Sequence, residues 1–264
     1  MNSAAAASTV SKCIRALSKN CASANRHMST GARGARGHGW LHKYRAGLGG
    51  RHLQGRYHKR DNAKLAAVNE EVFALNDSVN GSKKAYLDFE VEDEKAKGGD
   101  SPTIQRVTIE LATAALPKTC QNFLALCQKE DEGNLTYEGS KVFKIEPKVG
   151  ICLGDVTENN DGLQGSCHSS SNGSTDSPYS FEHESVVLSH AQKGMISMLS
   201  TGLDRNDSRF VITTVDDAPH LDGKYVAFGR VSEGIELLED LVKNTYTKKG
   251  MPGVNIKVAK CGIL

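Results

Sequence analysis

The sequence lacks several features that would assign a protein to a broad class at once. No run of about 18 apolar residues occurs in the 264-residue chain, so no segment is predicted to cross a bilayer as a helix. The seven cysteines are an odd number and no secretory signal precedes them, which predicts free thiols rather than a disulfide framework. One set of side chains invites comparison with a metal site: Cys167, His168, His183 and His190. Its spacing matches no zinc pattern, so the sequence predicts neither a metal nor another cofactor.

Acidic side chains are absent from the first 60 residues, which hold 12 lysines and arginines. The other 204 residues carry 21 basic and 31 acidic side chains, a formal charge of −10. The length and a hydrophobic content of 38% allow one domain with appendages. The chain is therefore predicted to join a basic N-terminal segment to an acidic body.

The segment 1–28 has the composition of a mitochondrial presequence. It is rich in Ala and Ser, and one helical face collects Val10, Ile14, Leu17 and Cys21. Basic residues lie between them and no continuous apolar core is present, which argues against a secretory signal. We interpret the segment as an address to the mitochondrial matrix or a matrix-facing surface. A chloroplast transit peptide and a plain N-terminal tail are the alternatives.

Residues 29–60 form a second basic segment with a different composition, in which Gly, Arg and His alternate with aromatic residues. So much glycine and charge predicts an extended arm that orders only on a partner. Its expected contact residues are Arg33, Arg36, Trp40, Tyr44, Arg45, Arg51, Arg56 and Tyr57. Interleaved aromatics and cations suit protein subunits of a mitochondrial complex, RNA or anionic lipid. The alternative is a longer presequence that is removed whole.

The periodicity beyond residue 60 predicts a short helix and then a mainly β domain. Within 61–84, Asp61 is a candidate N-cap and an apolar stripe follows it; the stripe faces either its own domain or a partner helix. From residue 85 to 264, eight short strands alternate with turn residues, and two helices are inserted, over 117–128 and 234–244. This pattern predicts a closed eight-stranded antiparallel barrel with two capping helices.

Five blocks within 85–264 resemble the cyclophilins in order and spacing: ALPKTCQNFLALC, YEGSKVFKI, GMISMLSTG, DSRFVITT and HLDGKYVAFGRVSEG. The resemblance implies an eight-stranded barrel with a surface groove for Xaa-Pro peptides, and peptidyl-prolyl cis–trans isomerase activity. The glycines and core aromatics that match the family, such as Gly154, Phe210 and Gly229, belong to its turns and core. Fold similarity does not guarantee the chemistry, so each groove position is compared separately.

The groove positions depart from the family almost throughout. The catalytic donor of the family is an arginine, and the matching residue here is Lys144, a flexible point charge instead of a planar fork. The other positions matched to the groove are Val149, Gly150, Cys152, Leu199, Ser200, Arg209, Val211, His220, Leu221 and Tyr225. Among them only Leu221 keeps the family residue. Lost apolar contacts and the two added cations, Lys144 and Arg209, predict a groove without catalytic function.

These observations favour a divergent mitochondrial cyclophilin that is a non-catalytic accessory subunit of a large assembly, either a respiratory complex or the ribosome, anchored by its basic arm. Two alternatives stay open. One is an active, divergent prolyl isomerase that assists folding in the matrix, with Lys144 as the donor. The other is an RNA-binding protein that acts through residues 29–60.

Overall fold

The computed structural model describes residues 61–79, 83–92, 103–128, 135–167, 179–202 and 204–264. The predicted presequence 1–28 and arm 29–60 lie outside the described residues, as does His168. The predictions made for them therefore stay predictions.

The described chain is mainly β. Its strands are β1 (Lys84–Glu92), β2 (Thr103–Leu111), β3 (Lys144–Glu146), β4 (Gly150–Leu153), β5 (Phe181–Glu182), β6 (Met195–Gly202), β7 (Arg205–Thr213), β8 (Ala227–Glu233), β9 (Thr247–Lys248), β10 (Met251–Pro252) and β11 (Asn255–Ile263). Its helices are α1 (Asn62–Val79), α2 (Pro117–Cys127) and α3 (Ile235–Asn244). All eight predicted strands are present. The two predicted capping helices are α2 and α3.

The main sheet is antiparallel, with the strand order β11-β1-β2-β8-β6-β7-β4-β3; β5 pairs with β7, and β9 and β10 form a separate hairpin. The sheet curls strongly, but the prediction of a closed barrel is wrong, because no ladder joins the end strands β3 and β11. The reason lies in the three residues before β3, which change partner. Lys141 makes an isolated bridge with Lys257, whereas the amide of Phe143 donates to Cys152 O at 3.2 Å. A segment that changes its hydrogen-bond partner from β11 to β4 within three residues cannot form a continuous ladder between β3 and β11.

Helix α1 packs on its own domain, which was one of the two orientations that the sequence left open. Asp61 caps it as predicted, its Oδ1 accepting a hydrogen bond from Lys64 N at 3.1 Å. Leu65, Val72 and Phe73 are buried in the main hydrophobic core. On the same helix, Asn69 donates to Ser189 O at 2.9 Å, so α1 is also fixed by a buried polar contact.

Helix α2 fills the curled sheet with an aromatic cluster. Pro117 occupies its first turn, where a missing amide hydrogen costs nothing. Phe123, on the predicted apolar face, lies 5.1–5.4 Å (ring centroids) from Tyr137, Phe210 and Phe228. The core therefore lies inside the curl, while the faces of β4 and β7 that carry the predicted groove lie outside it.

Candidate functional site in the predicted groove

Several groove positions meet in a small hydrophobic cluster that is separate from the main core. We call it the groove cluster, and its members are Val149, Cys152, Val211, Ala218 and Leu221. Each is less than 10% exposed. Four half-buried side chains pack against it: Phe143, Leu199, Val215 and Tyr225. The side chains that would line a proline pocket thus contact one another.

The strand register explains this convergence. Cys152 of β4 lies directly opposite Val211 of β7, so their side chains share one face of the sheet. After β7 the chain returns through a turn in which Leu221 N donates to Ala218 O at 3.0 Å, and this turn places Leu221 over the pair. Ala218 and Val215 completed the cluster without being predicted. They belong to a turn whose path the alternation of strand residues does not specify.

Gly150 begins β4 in a conformation that excludes a side chain. Its φ is +149°, and a Cβ built on it would lie 1.9 Å from Ile212 O on the neighbouring strand. The resemblance places a methionine of the proline pocket at this position. The backbone of this chain leaves no room for that side chain.

Lys144, the predicted donor, lies on β3 and is 46% exposed. It forms an ion pair with Glu146, two residues further along the same strand, and the hydrogen bond to Glu146 raises the pKa of the lysine. Cys152 lies opposite Lys144 in the β3–β4 ladder, so the ammonium lies at the edge of the groove cluster. The cation is present at the position of the family donor, with a carboxylate beside it.

Arg209 makes the second ion pair of the groove. Its Nε and Nη2 donate to Asp207 Oδ2 at 2.9 and 2.7 Å, and its Nη1 donates to Gly162 O at 2.7 Å. The Asp207 side chain is 1% exposed. Burial raises the pKa of Asp207, while Arg209 acts in the opposite direction. Each of the two cations of the groove, Lys144 and Arg209, therefore has a carboxylate two positions away as its partner.

The remaining groove positions are spread along the edge of the cluster. Leu199 and Ser200 are half-buried on β6, and Tyr225 is half-buried after the turn, whereas His220 is exposed at the turn itself. Of these positions, Leu199 and Tyr225 pack against the groove cluster.

A largely buried polar network supports the turn from below and was not predicted. His190 Nδ1 lies 2.7 Å from Asp222 Oδ1, and His190 Nε2 lies 2.5 Å from Ser197 Oγ. Both His190 and Ser197 have 0% exposure, so the Ser–His–Asp arrangement is inaccessible to a substrate and acts as a structural tie. His190 was weighed as a metal ligand on sequence grounds. Among the residues that the structure describes, no cluster suited to a metal ion is found.

A cavity of about 610 Å³ opens beside the groove cluster. We call it the lateral cavity, and its lining includes Leu135, Val156, Leu163, Tyr179, Thr201 and Arg209. Leu163 and Tyr179 are 77% and 66% exposed, which gives the cavity an apolar rim, and the Arg209–Asp207 pair lies in its wall. No described helix is long and apolar enough to span a membrane.

Comparisons with known proteins agree with this fold. A profile of the family "Cyclophilin type peptidyl-prolyl cis-trans isomerase/CLD" matches residues 100–263. The chain is 34% identical over 188 residues to "Peptidyl-prolyl cis-trans isomerase 9" of Caenorhabditis briggsae, which covers 69% of this chain and 54% of the relative. The Caenorhabditis elegans protein of the same name is 32% identical over 188 residues, 69% of this chain and 55% of the relative.

A third relative is the "NK-tumor recognition protein" of Homo sapiens, 33% identical over 169 residues, which are 61% of this chain and 11% of that protein. The chain thus spans about half the length of the two isomerase relatives and a small part of the third. The match to the family profile covers more than half of the chain, and the curled antiparallel sheet is consistent with it. The chain belongs to the cyclophilin family.

Proposed function

We propose that this cyclophilin-family chain is a non-catalytic member, whose domain serves as a binding module in a larger mitochondrial assembly. The single observation that carries the proposal is the groove cluster. Val149, Cys152, Val211 and Leu221, which correspond to pocket positions of the family, are buried against one another, and Gly150 has no space for a side chain.

Catalysis of prolyl isomerisation has to lower a barrier of about 18–20 kcal/mol set by amide resonance. Such catalysis needs a cationic donor at the prolyl nitrogen and an apolar seat for the ring. Lys144 is a hydrated ammonium that already has Glu146 as its partner, and it lacks the fixed planar geometry of a guanidinium. A donor without a ring pocket cannot hold the peptide in a reactive geometry, so the arrangement supports binding more than chemistry.

The lateral cavity supports the binding part of the proposal. An apolar rim with a few polar groups in the wall is the usual composition of a ligand site. Among the described residues the cavity has Arg209, a groove position, in its wall, and its volume of about 610 Å³ is large enough for one bulky side chain of a partner. The partner class that we favour is protein, with the basic segment 29–60 as a second contact.

Tagged full-length protein tests the assembly role by native-gel co-migration and mass spectrometry of the band. We expect the chain in a high-mass band together with the same set of mitochondrial proteins in replicate preparations. Leu163→Asp with Tyr179→Asp in the rim should weaken that association, whereas Glu236→Ala, on the exposed side of α3, should not. A monomer that sediments alone contradicts the proposal, and loss of the band on ribonuclease treatment favours the RNA-binding alternative.

The second candidate function is a weak prolyl isomerase, favoured by one observation: a cation, Lys144, lies at the donor position and is 46% exposed. The curated Caenorhabditis relatives are named as isomerases. The isomerisation rate of Lys144→Ala distinguishes the two candidates, because an isomerase that uses this donor loses its activity in that variant.

A further inference from the structure

Helix α1 carries two buried asparagines on one face. Asn69 and Asn76 are about two helical turns apart, and both have 0% exposure. Asn76 Nδ2 donates a hydrogen bond to Leu111 O at 2.8 Å, and its Oδ1 accepts one from Ala114 N at 2.8 Å. Asn69 Nδ2 donates to Ser189 O at 2.9 Å, and its Oδ1 accepts from Ser189 N at 3.0 Å. Each side-chain amide thus fixes a piece of main chain outside the helix.

The residue after Ser189 belongs to the polar network below the groove cluster. The amide of His190 donates to Asp222 Oδ1 at 2.8 Å, and its carbonyl accepts from Ala218 N at 2.9 Å. The imidazole of His190 lies between Asp222 and Ser197, at the distances given above. Both the main chain and the side chain of this residue therefore contact the loop that follows β7.

This loop forms one wall of the groove, and we call residues 218–225 the groove turn. Ala218 and Leu221 are members of the groove cluster, and Tyr225 packs against it. Within the turn, Leu221 N donates to Ala218 O at 3.0 Å and Tyr225 N donates to Leu221 O at 3.1 Å. The hydrogen bond from Ala218 to His190 therefore connects the groove wall to the segment that Asn69 holds.

We propose that Asn69 is a positioning residue of the groove, which couples α1 to the groove turn through Ser189 and His190. A buried polar group that loses its partner costs free energy, so Asn69 restricts the main chain of Ser189 to one position. Because His190 follows directly, a displacement of Ser189 has to move Ala218 and Asp222 with it or break their hydrogen bonds.

The coupling comes from a part of the chain that the family profile does not match. Helix α1 lies before residue 100, where the match begins. Substitutions in α1 should therefore alter the groove wall, although no residue of α1 belongs to the groove cluster. The argument uses no catalytic or partner-binding property, so it stands whether or not the proposed function is correct.

Native-state hydrogen exchange of wild-type full-length protein tests the coupling without a variant. The amides of Ser189 and Ala218 should open in one cooperative event, with protection factors that agree within about threefold and the same dependence on urea. Exchange of Ala218 that is more than about tenfold less protected than that of Ser189, and independent of urea, would show that the groove turn opens alone. That result overturns the proposal.

Asn69→Ala and Asn76→Ala form a matched pair, because each removes one buried side-chain amide with two hydrogen-bonded contacts from the same helix. In Asn69→Ala, the exchange of Ala218 should accelerate at least about tenfold relative to that of Leu87, a reference amide on the central strand β1. In Asn76→Ala, this ratio should stay within about twofold of the wild-type ratio.

Two results of this comparison contradict the coupling. Equal acceleration in the two variants would mean that a general loss of stability loosens the groove turn. An unchanged ratio in Asn69→Ala would mean that the groove turn does not depend on α1.

A double-mutant cycle with Ser197→Ala tests the same coupling through stability. Ser197 contacts the far side of the His190 ring. The shift of the urea midpoint in the double variant of Asn69→Ala and Ser197→Ala should be smaller than the sum of the two single shifts, because breaking one contact already loosens the other. Asn76→Ala with Ser197→Ala is the control, and its shifts should add. Additive shifts in both cycles overturn the proposal.

Discussion

At the residue scale, both cations of the groove are compensated on their own strands. Lys144 pairs with Glu146, and Arg209 pairs with Asp207, in each case across two positions, the spacing that puts side chains on one face of a strand. The two pairs differ in burial. Glu146 is 42% exposed and its pair contributes little to stability, whereas Asp207 is 1% exposed and depends on its partner.

Arg209→Gln should destabilise this chain by about 3 kcal/mol at pH 7–8, because a buried carboxylate loses its partner. The folded-state pKa of Asp207 is already raised by burial, and loss of Arg209 raises it further. A carboxyl group whose pKa is higher in the folded state than in the unfolded state contributes stability at pH values below its unfolded-state pKa. This contribution is lost as the pH rises through its folded-state pKa.

The loss of unfolding free energy in Arg209→Gln should therefore be small near pH 4 and large at pH 8, as measured by urea unfolding at both pH values. Asp207→Asn combined with Arg209→Gln should recover most of the loss at pH 8; an equal loss at both pH values contradicts this account.

Gly150 and Gly202 form a matched pair for testing the close contact between Gly150 and strand β7. Both have positive φ, +149° and +97°, but a Cβ meets Ile212 O only at Gly150, and nothing lies within 4 Å of one at Gly202. Gly202→Ala should cost about 1 kcal/mol of unfolding free energy from backbone strain alone, and Gly150→Ala more than about 3 kcal/mol because β7 must also shift. Equal losses in urea unfolding would mean that the β4–β7 contact at Gly150 is not tight.

At the scale of elements, α1 is part of the domain rather than a connector. Its apolar stripe is continuous with the main core, and Arg230 of β8 pairs with Glu70 on it at 2.6 Å. The guanidinium of Arg230 also stacks over the ring of Phe73 at 4.3 Å. The helix therefore covers the side of the sheet formed by β2 and β8.

Leu65→Ala should lower the free energy of unfolding by about 3 kcal/mol, because it removes a fully buried side chain from that contact. Glu71→Ala, at an exposed position of the same helix, is the control and should change the stability by less than about 0.5 kcal/mol. Both are measured by chemical denaturation of residues 29–264 and of the full chain. An effect of Leu65→Ala as small as that of the control would indicate that α1 faces a partner instead.

The strands and helices could be predicted from the sequence because each carries a local signal. Alternation marked β1 and β2, turn residues delimited β7 and β8, and Pro117 and the apolar face marked α2. The gap between β3 and β11 could not be predicted. It depends on the hydrogen-bond partners of the amides of Lys141–Phe143, and these partners are determined by the tertiary structure. In the groove, the sequence did not predict Ala218, Asp207 or the His190–Asp222–Ser197 network. A period-2 search around each charged groove residue would have found Glu146 and Asp207.

At the scale of the whole molecule, the charge separates into two parts: +12 over residues 1–60 and −10 over the rest. Among the residues that the structure describes, every member of the main core and of the groove cluster lies at or beyond Leu65. In our proposal, the basic segment 29–60 contacts a protein partner.

Residues 61–264 should consequently fold without the basic arm. We expect the unfolding free energy of this truncated chain to lie within about 1 kcal/mol of that of residues 29–264, since salt screens the attraction between the opposite net charges of the two parts. Paired thermal and urea denaturation at about 0.15 M salt measures the difference. A loss of several kcal/mol on truncation would place the arm on its own domain.

The central claim is that the cyclophilin fold is kept here while the proline site is not. It is tested most directly by the isomerisation rate of an Xaa-Pro peptide in the presence of purified full-length protein. The account predicts no acceleration over the uncatalysed time of tens of seconds, no binding of a cyclosporin-type ligand, and no gain from Lys144→Arg, because Val149, Gly150 and Val211 still leave the ring unheld. Catalysis by the wild-type protein that disappears in Lys144→Ala would contradict it and identify Lys144 as a working donor.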